Sequence, residues 1–169
     1  YEKPPLTYWI TALPLRVFGP NDWAARIPLL PAGLALAVLG FLIASRGWGR
    51  ARGLPATLIA VTMFGLFFAM SMPIPDSYLT LWFAALCVLL FNAFRPDAGA
   101  RRRWTCLLAA AIFAFLGTMT KGVIAVVLPA GILFLWLLWE RRLKSLWTLP
   151  VFAAAALYLA LIVPTVWQL

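Results

Sequence analysis

Arg101-Arg102-Arg103-Trp104-Thr105-Cys106-Leu107-Leu108-Ala109-Ala110-Ala111-Ile112-Phe113-Ala114-Phe115-Leu116-Gly117-Thr118-Met119-Thr120-Lys121-Gly122 is the stretch that decides the fold. Three arginines precede a run without a single charge, and a Lys-Gly pair ends it. About 20 apolar residues in a helix cross ~30 Å of hydrocarbon at ~1.5 Å per residue, so a run of this length reads as a membrane span. The arginines and Trp104 mark one interface, and Lys121-Gly122 marks the other.

Outward from this stretch the same pattern repeats. Apolar runs lie near 25–45, 54–72, 77–94, 104–120, 122–139 and 146–167, which predicts six spans. Pro28 and Pro31 fall where the first turns of the first span begin, positions that tolerate proline. Before the spans, Pro4-Pro5 suits a helix start, and Leu6, Ile10, Leu13 and Val17 recur at helical spacing until Gly19-Pro20-Asn21-Asp22 breaks the run. This predicts an amphipathic helix at the interface, with Tyr8, Trp9 and Phe18 at headgroup level and a kink at Pro14. The expected division is an outer-face loop and juxtamembrane helix over 1–22, then a helical membrane region over 23–169. The fold class is all-α, a polytopic transmembrane bundle.

Composition agrees. Of the 169 residues, 64% are hydrophobic and 11% charged, against about 45–50% and about 25% in soluble domains. The net charge of +9 comes from fourteen Lys and Arg against five Asp and Glu. The basic residues sit in short gaps between apolar runs, and no module with a basic recognition face is visible, so nucleic acid is not an expected partner. With two cysteines, no CxxC and no histidine, neither a metal site built from these residues alone nor a disulfide is expected.

The gaps also fix sidedness. Arg46, Arg50, Arg52, Arg95, Arg101, Arg102, Arg103, Arg141, Arg142 and Lys144 fall on one side, and Lys3, Arg16, Arg26 and Lys121 on the other. Rich and poor gaps alternate, as they must if every run crosses once. The positive-inside rule makes the rich side cytoplasmic. Trp48, Trp104, Trp139 and Trp147 gather at that boundary as an aromatic belt.

Four ionisable residues on the poorer side are candidates for chemistry: Glu2 and Lys3 before the Pro-Pro start, Asp76 after Pro73-Ile74-Pro75, and Lys121 in the Thr120-Lys121-Gly122 break. Ionisable groups at membrane ends face a partner or a wet cavity. Each also has a plainer reading. Asp76 fits a helix N-cap beside Ser77, Lys121 a snorkelling lysine, and Glu2-Lys3 a solvated pair. The arginines of the rich side read as topology determinants, with lipid headgroup binding as the alternative. Phe64, Phe67, Phe68 and Trp82 read as lipid-facing or packing aromatics, or as the lining of a groove for a long lipid. Lysines hold phosphate and a carboxylate serves as base, so a lipid phosphate at the outer interface and an ion pathway both fit.

Tyr1-Glu2-Lys3-Pro4-Pro5-Leu6-Thr7-Tyr8-Trp9 resembles the YEKPPLxYW motif of bacterial integral-membrane glycosyltransferases. These are the lipid A aminoarabinose transferases and their relatives in the protein O-mannosyltransferase superfamily, which share the GT-C fold. Phe18-Gly19 with Asp22-Trp23-Ala24-Ala25-Arg26-Ile27-Pro28, Pro75-Asp76-Ser77 with Leu79-Thr80, and Phe115 to Gly122 resemble further motifs of that family in order and spacing. The resemblance implies that Lys3 contacts the lipid-carrier phosphate and Lys121 helps neutralise it. It associates Glu2 with a divalent metal ion and places Asp76 in the catalytic cavity. It implies sugar transfer from a polyprenyl-phosphate donor to a lipid, protein or glycan acceptor at the outer face of the cytoplasmic membrane, with membrane lipids as surroundings. No nucleotide is implied, and no phosphate-cradling Gly-rich loop is present. The family's principal catalytic Asp lies upstream of the YEKPP motif and its metal-associated His downstream, so the chain reads as an internal part of a longer protein, inactive alone. A transporter or flippase with Asp76 and Lys121 as pathway charges is the second reading, and a non-enzymatic assembly factor the third. Neither broken helices in matched halves nor an inverted repeat is visible to favour transport.

Overall fold

The structure, a computed structural model, describes residues 4–167. Glu2 and Lys3 therefore lie outside the described residues. The described chain is helical: α1 (Leu6–Phe18), α2 (Asp22–Arg26), α3 (Leu29–Trp48), α4 (Arg50–Thr62), α5 (Phe64–Ser71), α6 (Pro75–Phe94), α7 (Ala100–Lys121), α8 (Ile124–Trp139), a 3-10 turn (Leu143–Leu146) and α9 (Leu149–Trp167). Among the described residues no strand is present.

Among the described residues three stretches are long and apolar enough to cross a membrane: Asp22–Trp48, Pro75–Phe94 and Ala100–Lys121. They coincide with three of the six predicted spans. The last two predicted spans are apolar but shorter, Ile124–Trp139 and Leu149–Thr165. At 16 residues α8 rises only about 24 Å, less than a ~30 Å hydrocarbon layer. The second predicted span, 54–72, is broken. Met63 leaves the helical region (φ −58°, ψ 129°) and separates α4 from α5. The helical hydrogen bonding is not lost altogether, since the Met63 amide still donates to the Ile59 and Ala60 carbonyls.

The bundle is built on the antiparallel α6–α7 hairpin. Small residues on α7, namely Ala110, Ala111, Ala114 and Gly117, are buried and let the neighbouring helices approach closely. A β-carbon added at Gly117 would stand 2.8 Å from the Ala125 β-carbon, so α7 and α8 meet there only because the residue is glycine. At one end Leu29, Ala32, Tyr78 and Leu81 join α3 to α6, and Ile10 of α1 packs on them. At the other end Ala93, Phe94, Leu107 and Leu137 join α6, α7 and α8.

The predicted amphipathic helix forms as α1. Thr7 and Pro14 are buried, whereas Leu13 and Val17 of the predicted apolar stripe are both 67% exposed. In water the apolar stripe would turn inward. In lipid an apolar side chain gains little by burial, so small and polar residues take the contact face. Trp48, Trp139 and Trp147 are all exposed, as a belt at the headgroup level requires.

The arginine-rich end is tied by hydrogen bonds. Arg102 donates to the Asn92 side chain at 2.7 Å. Arg142 donates to the Phe94 carbonyl at 3.1 Å, one of the carbonyls a helix leaves unpaired at its C-terminus. Arg103 donates to the Ser145 carbonyl, and its guanidinium lies 5.1 Å from the centre of the Phe94 ring. Several arginines read from the sequence as topology determinants thus also close helix ends and loops.

Candidate functional site

Pro75 occupies the first turn of α6, where its missing N–H costs nothing. The N-cap is Ile74, with no side-chain cap bond. Asp76 is therefore not the N-cap that its position beside Ser77 suggested. It sits in the first turn, where the helix dipole favours a carboxylate. Ser77 is buried, and its hydroxyl donates to the Met72 carbonyl at 2.8 Å, which ties the entering chain to the helix start.

Lys121 is the last residue of α7, the end that favours a cation. Gly122 ends the helix with φ 82°, a left-handed conformation that glycine adopts without strain, and its amide donates to the Thr118 carbonyl at 2.8 Å. The α6–α7 hairpin brings the two ends together, and the Lys121 ammonium pairs with the Asp76 carboxylate. The side chains remain 44% and 52% exposed respectively. A pair this open contributes roughly 0–1 kcal/mol to stability. Its position at a membrane end is not explained by fold energetics alone.

The residues around Lys121 are committed one by one. Thr118 donates to the Ala114 carbonyl at 2.9 Å and meets the Tyr158 hydroxyl at 3.0 Å. Thr120, only 1% exposed, receives the Trp82 indole N–H at 3.1 Å and donates to the Leu116 carbonyl at 2.8 Å. Trp82 in turn lies against Phe113, ring centres 5.9 Å apart. The Gly117–Gly122 corner is thus held by α6, α8 and α9, and Lys121 projects from a rigid base. Phe64, Phe67 and Phe68, grouped with Trp82 in the sequence, do not share its role, for all three are exposed.

Of the four predicted site residues, Asp76 and Lys121 are brought together, and Glu2 and Lys3 lie outside the described residues. The chain resumes at Pro4-Pro5 into α1, whose Ile10 packs against the cluster of Leu29, Ala32, Tyr78 and Leu81. That is the end of the bundle where Asp76 stands. Among the described residues no three metal-ligating side chains gather. Asp76 faces an ammonium, and the described residues by themselves do not fit a divalent ion. The site partners Trp82 and Tyr158 were not singled out as such in the sequence. The pairing itself had a signal, because positions 76 and 121 lie almost equally far from the link between Phe94 and Ala100.

Residues 2–167 match the family model described as dolichyl-phosphate-mannose-protein mannosyltransferase. The chain is 34% identical over 174 residues to an undecaprenyl phosphate-alpha-4-amino-4-deoxy-L-arabinose arabinosyl transferase of Pseudomonas aeruginosa, covering 100% of this chain and 30% of that protein. A transferase of the same name from Pseudomonas savastanoi pv. phaseolicola is 33% identical over 172 residues, covering 100% and 31%. The fold is that of ArnT from Cupriavidus metallidurans. Its apo crystal structure superposes with a TM-score of 0.86 at 22% identity over 99% of this chain and 31% of that one. Its undecaprenyl phosphate complex superposes with a TM-score of 0.81 at the same identity and coverage. The chain spans about 30% of the length of the curated relatives it matches. By the extent of the family match, the chain belongs to the dolichyl-phosphate-mannose-protein mannosyltransferase family.

Proposed function

We propose that the protein carrying this sequence is a glycosyltransferase that moves a sugar from a polyprenyl-phosphate donor to an acceptor hydroxyl, and that residues 1–169 supply part of its donor site. The carrying observation is the Asp76–Lys121 pair, half-exposed at the end of the bundle where the YEKPP segment enters α1. The two relatives, each named as an undecaprenyl-phosphate sugar transferase, supply the donor class, and 4-amino-4-deoxy-L-arabinose is the sugar to try first.

In this reading the acceptor oxygen attacks the anomeric carbon, the bond from that carbon to the phosphate oxygen breaks, and the prenyl phosphate leaves with the electron pair. Lys121 and Lys3 offset the charge that grows on the departing phosphate. The Asp76 carboxylate belongs to the catalytic cavity, where a carboxylate accepts the acceptor's proton. In the unliganded arrangement the lysine and the carboxylate neutralise each other. Donor phosphate draws Lys121 away and leaves the carboxylate free to act. A divalent ion at Glu2 would need further ligands from beyond the described residues, and no step is drawn through one. Residues 1–22 form the outer-face element and 23–169 the membrane region. The arginine-rich end faces the cytoplasm and the Asp76–Lys121 end the exterior of the inner membrane, which the ten-to-four distribution of basic residues supports.

Transport is the competing reading. The break at Met63 weakens the sequence argument from unbroken helices, but family membership favours transfer. The test uses the full-length protein in native membrane vesicles with labelled polyprenyl-phosphate sugar. Wild type is compared with Lys3→Ala and Asp76→Asn at matched expression. Loss of transfer in both variants with folding intact is expected. Unimpaired transfer in both refutes the site, and no transfer by wild type with any donor refutes the enzyme reading.

A further inference from the structure

At the end near Asp76, α3 and α6 touch through Leu29, Ala32, Tyr78 and Leu81. Toward the arginine-rich end a cleft of about 800 Å³ opens between them, with Trp136 of α8 on a third side. Its deeper wall is apolar. Cys87 and Val88 line it, and Phe91 lies against Trp136 with ring centres 5.1 Å apart. Its rim carries Arg46 from the last turn of α3, Arg95 just after α6 and the Asp97 carboxylate paired with Arg95, which leaves a net positive charge. The order from depth to surface, apolar then cationic, is that of an amphiphile standing in one leaflet.

The two arginines differ from the committed ones nearby. Arg46 is exposed and has no ion-pair partner among the described residues. Arg95 reaches Asp97 through Nε at 2.9 Å, and its terminal nitrogens make no other hydrogen bond among the described residues. Asn92, also on the wall, is held at both ends of its amide, donating to the Val88 carbonyl at 2.8 Å and accepting from Arg102 at 2.7 Å. The cleft thus has a fixed wall and two guanidinium groups with donors to spare. Arg50 and Arg52 begin the next helix and deepen the positive field. Guanidinium donors match phosphate oxygens, and the apolar wall matches an acyl chain.

We propose that this cleft holds one acidic phospholipid of the leaflet on the arginine-rich side, its phosphodiester on Arg46 and Arg95 and an acyl chain along Phe91 and Trp136. The site lies at the opposite end of α6 from Asp76 and does not depend on the sugar-transfer reading.

The test uses the full-length protein in nanodiscs of phosphatidylcholine with a minority of phosphatidylglycerol, and counts retained phosphatidylglycerol by native mass spectrometry. Wild type should retain one copy. Each basic residue near a membrane surface is worth ~1 kcal/mol of attraction to acidic lipid, so Arg46→Gln and Arg95→Gln should each lower retention about fivefold and the double variant more than tenfold. Arg101→Gln, an exposed arginine outside the cleft, should leave it unchanged. Cys87 gives an independent reading. In a full-length variant that keeps Cys87 as its single cysteine, a membrane-soluble maleimide should label Cys87 in pure phosphatidylcholine and more slowly once phosphatidylglycerol is added. Equal retention by wild type and the double variant overturns the proposal. So does a Cys87 that is labelled at the same rate with and without phosphatidylglycerol.

Discussion

The two ends of the α6–α7 hairpin use charge in opposite ways. At the arginine-rich end three cations around the hairpin are tied down: Arg102 to a buried amide, Arg103 and Arg142 to backbone carbonyls. At the other end Lys121 meets a single half-exposed carboxylate, while the neighbouring threonines satisfy themselves through Trp82, Tyr158 and their own helix. The first arrangement closes a structure. The second holds a reactive pair on a rigid base and leaves it open to a ligand. Basic residues in a membrane protein therefore separate by what they touch, not by their number.

The sharpest way to break this contrast is to neutralise one residue from each end. In the full-length protein, Lys121→Ala and Asp76→Asn are expected to lower sugar transfer by about 10²–10⁴-fold, the range for loss of a positioned acid–base or charge-stabilising group. Labelled-donor turnover at matched expression reads this. Gly117→Val is next. Its side chain would be driven into Ala125, and overpacking of this kind costs about 1–3 kcal/mol. A lower thermal midpoint in detergent is expected, with transfer falling only as folded protein is lost. Arg142→Ala removes the donor to the Phe94 carbonyl. It should cost about 1–3 kcal/mol if that acceptor stays dry, with transfer per folded molecule unchanged.

The smallest effect concerns Asp97, in the link between α6 and α7. A hydrogen bond from its own backbone and then the Arg95 guanidinium hold its carboxyl below the usual carboxylate range. A depressed folded value means that its stabilising contribution is present above the unfolded pKa and is lost as pH falls through the folded one, below about pH 4. Arg95→Gln should move the Asp97 titration only part of the way back, because the backbone bond remains. A side-chain carboxyl titration by NMR reads the shift.

The membrane bundle was legible because hydropathy and charge alternation report directly on lipid as solvent. Three long spans stand where the apolar runs lie, and Pro28 and Pro31 sit at the start of α3 as expected. The break at Met63 was not legible. No proline marks it, and it falls between Thr62 and Phe64 inside an otherwise apolar run. The helix of α1 was legible from its spacing, but which of its faces meets the bundle was not, because in lipid an apolar stripe such as Leu13 and Val17 stays exposed. Asp76 and Lys121 stood out as charges at membrane ends, and the hairpin geometry explains why they meet. The roles of Trp82 and Tyr158 depend on tertiary packing, which spacing along one chain does not reveal.

The most direct test of the central claim, that Asp76 and Lys121 act as one unit at the donor site, is a double-mutant cycle on sugar transfer. Asp76→Asn, Lys121→Ala and the two combined are compared in the full-length protein, with folding checked by gel filtration. Groups that act as a unit are strongly non-additive, so the double variant should be about as slow as the slower single variant. Losses that multiply, or near-normal transfer in either single variant, would contradict the account.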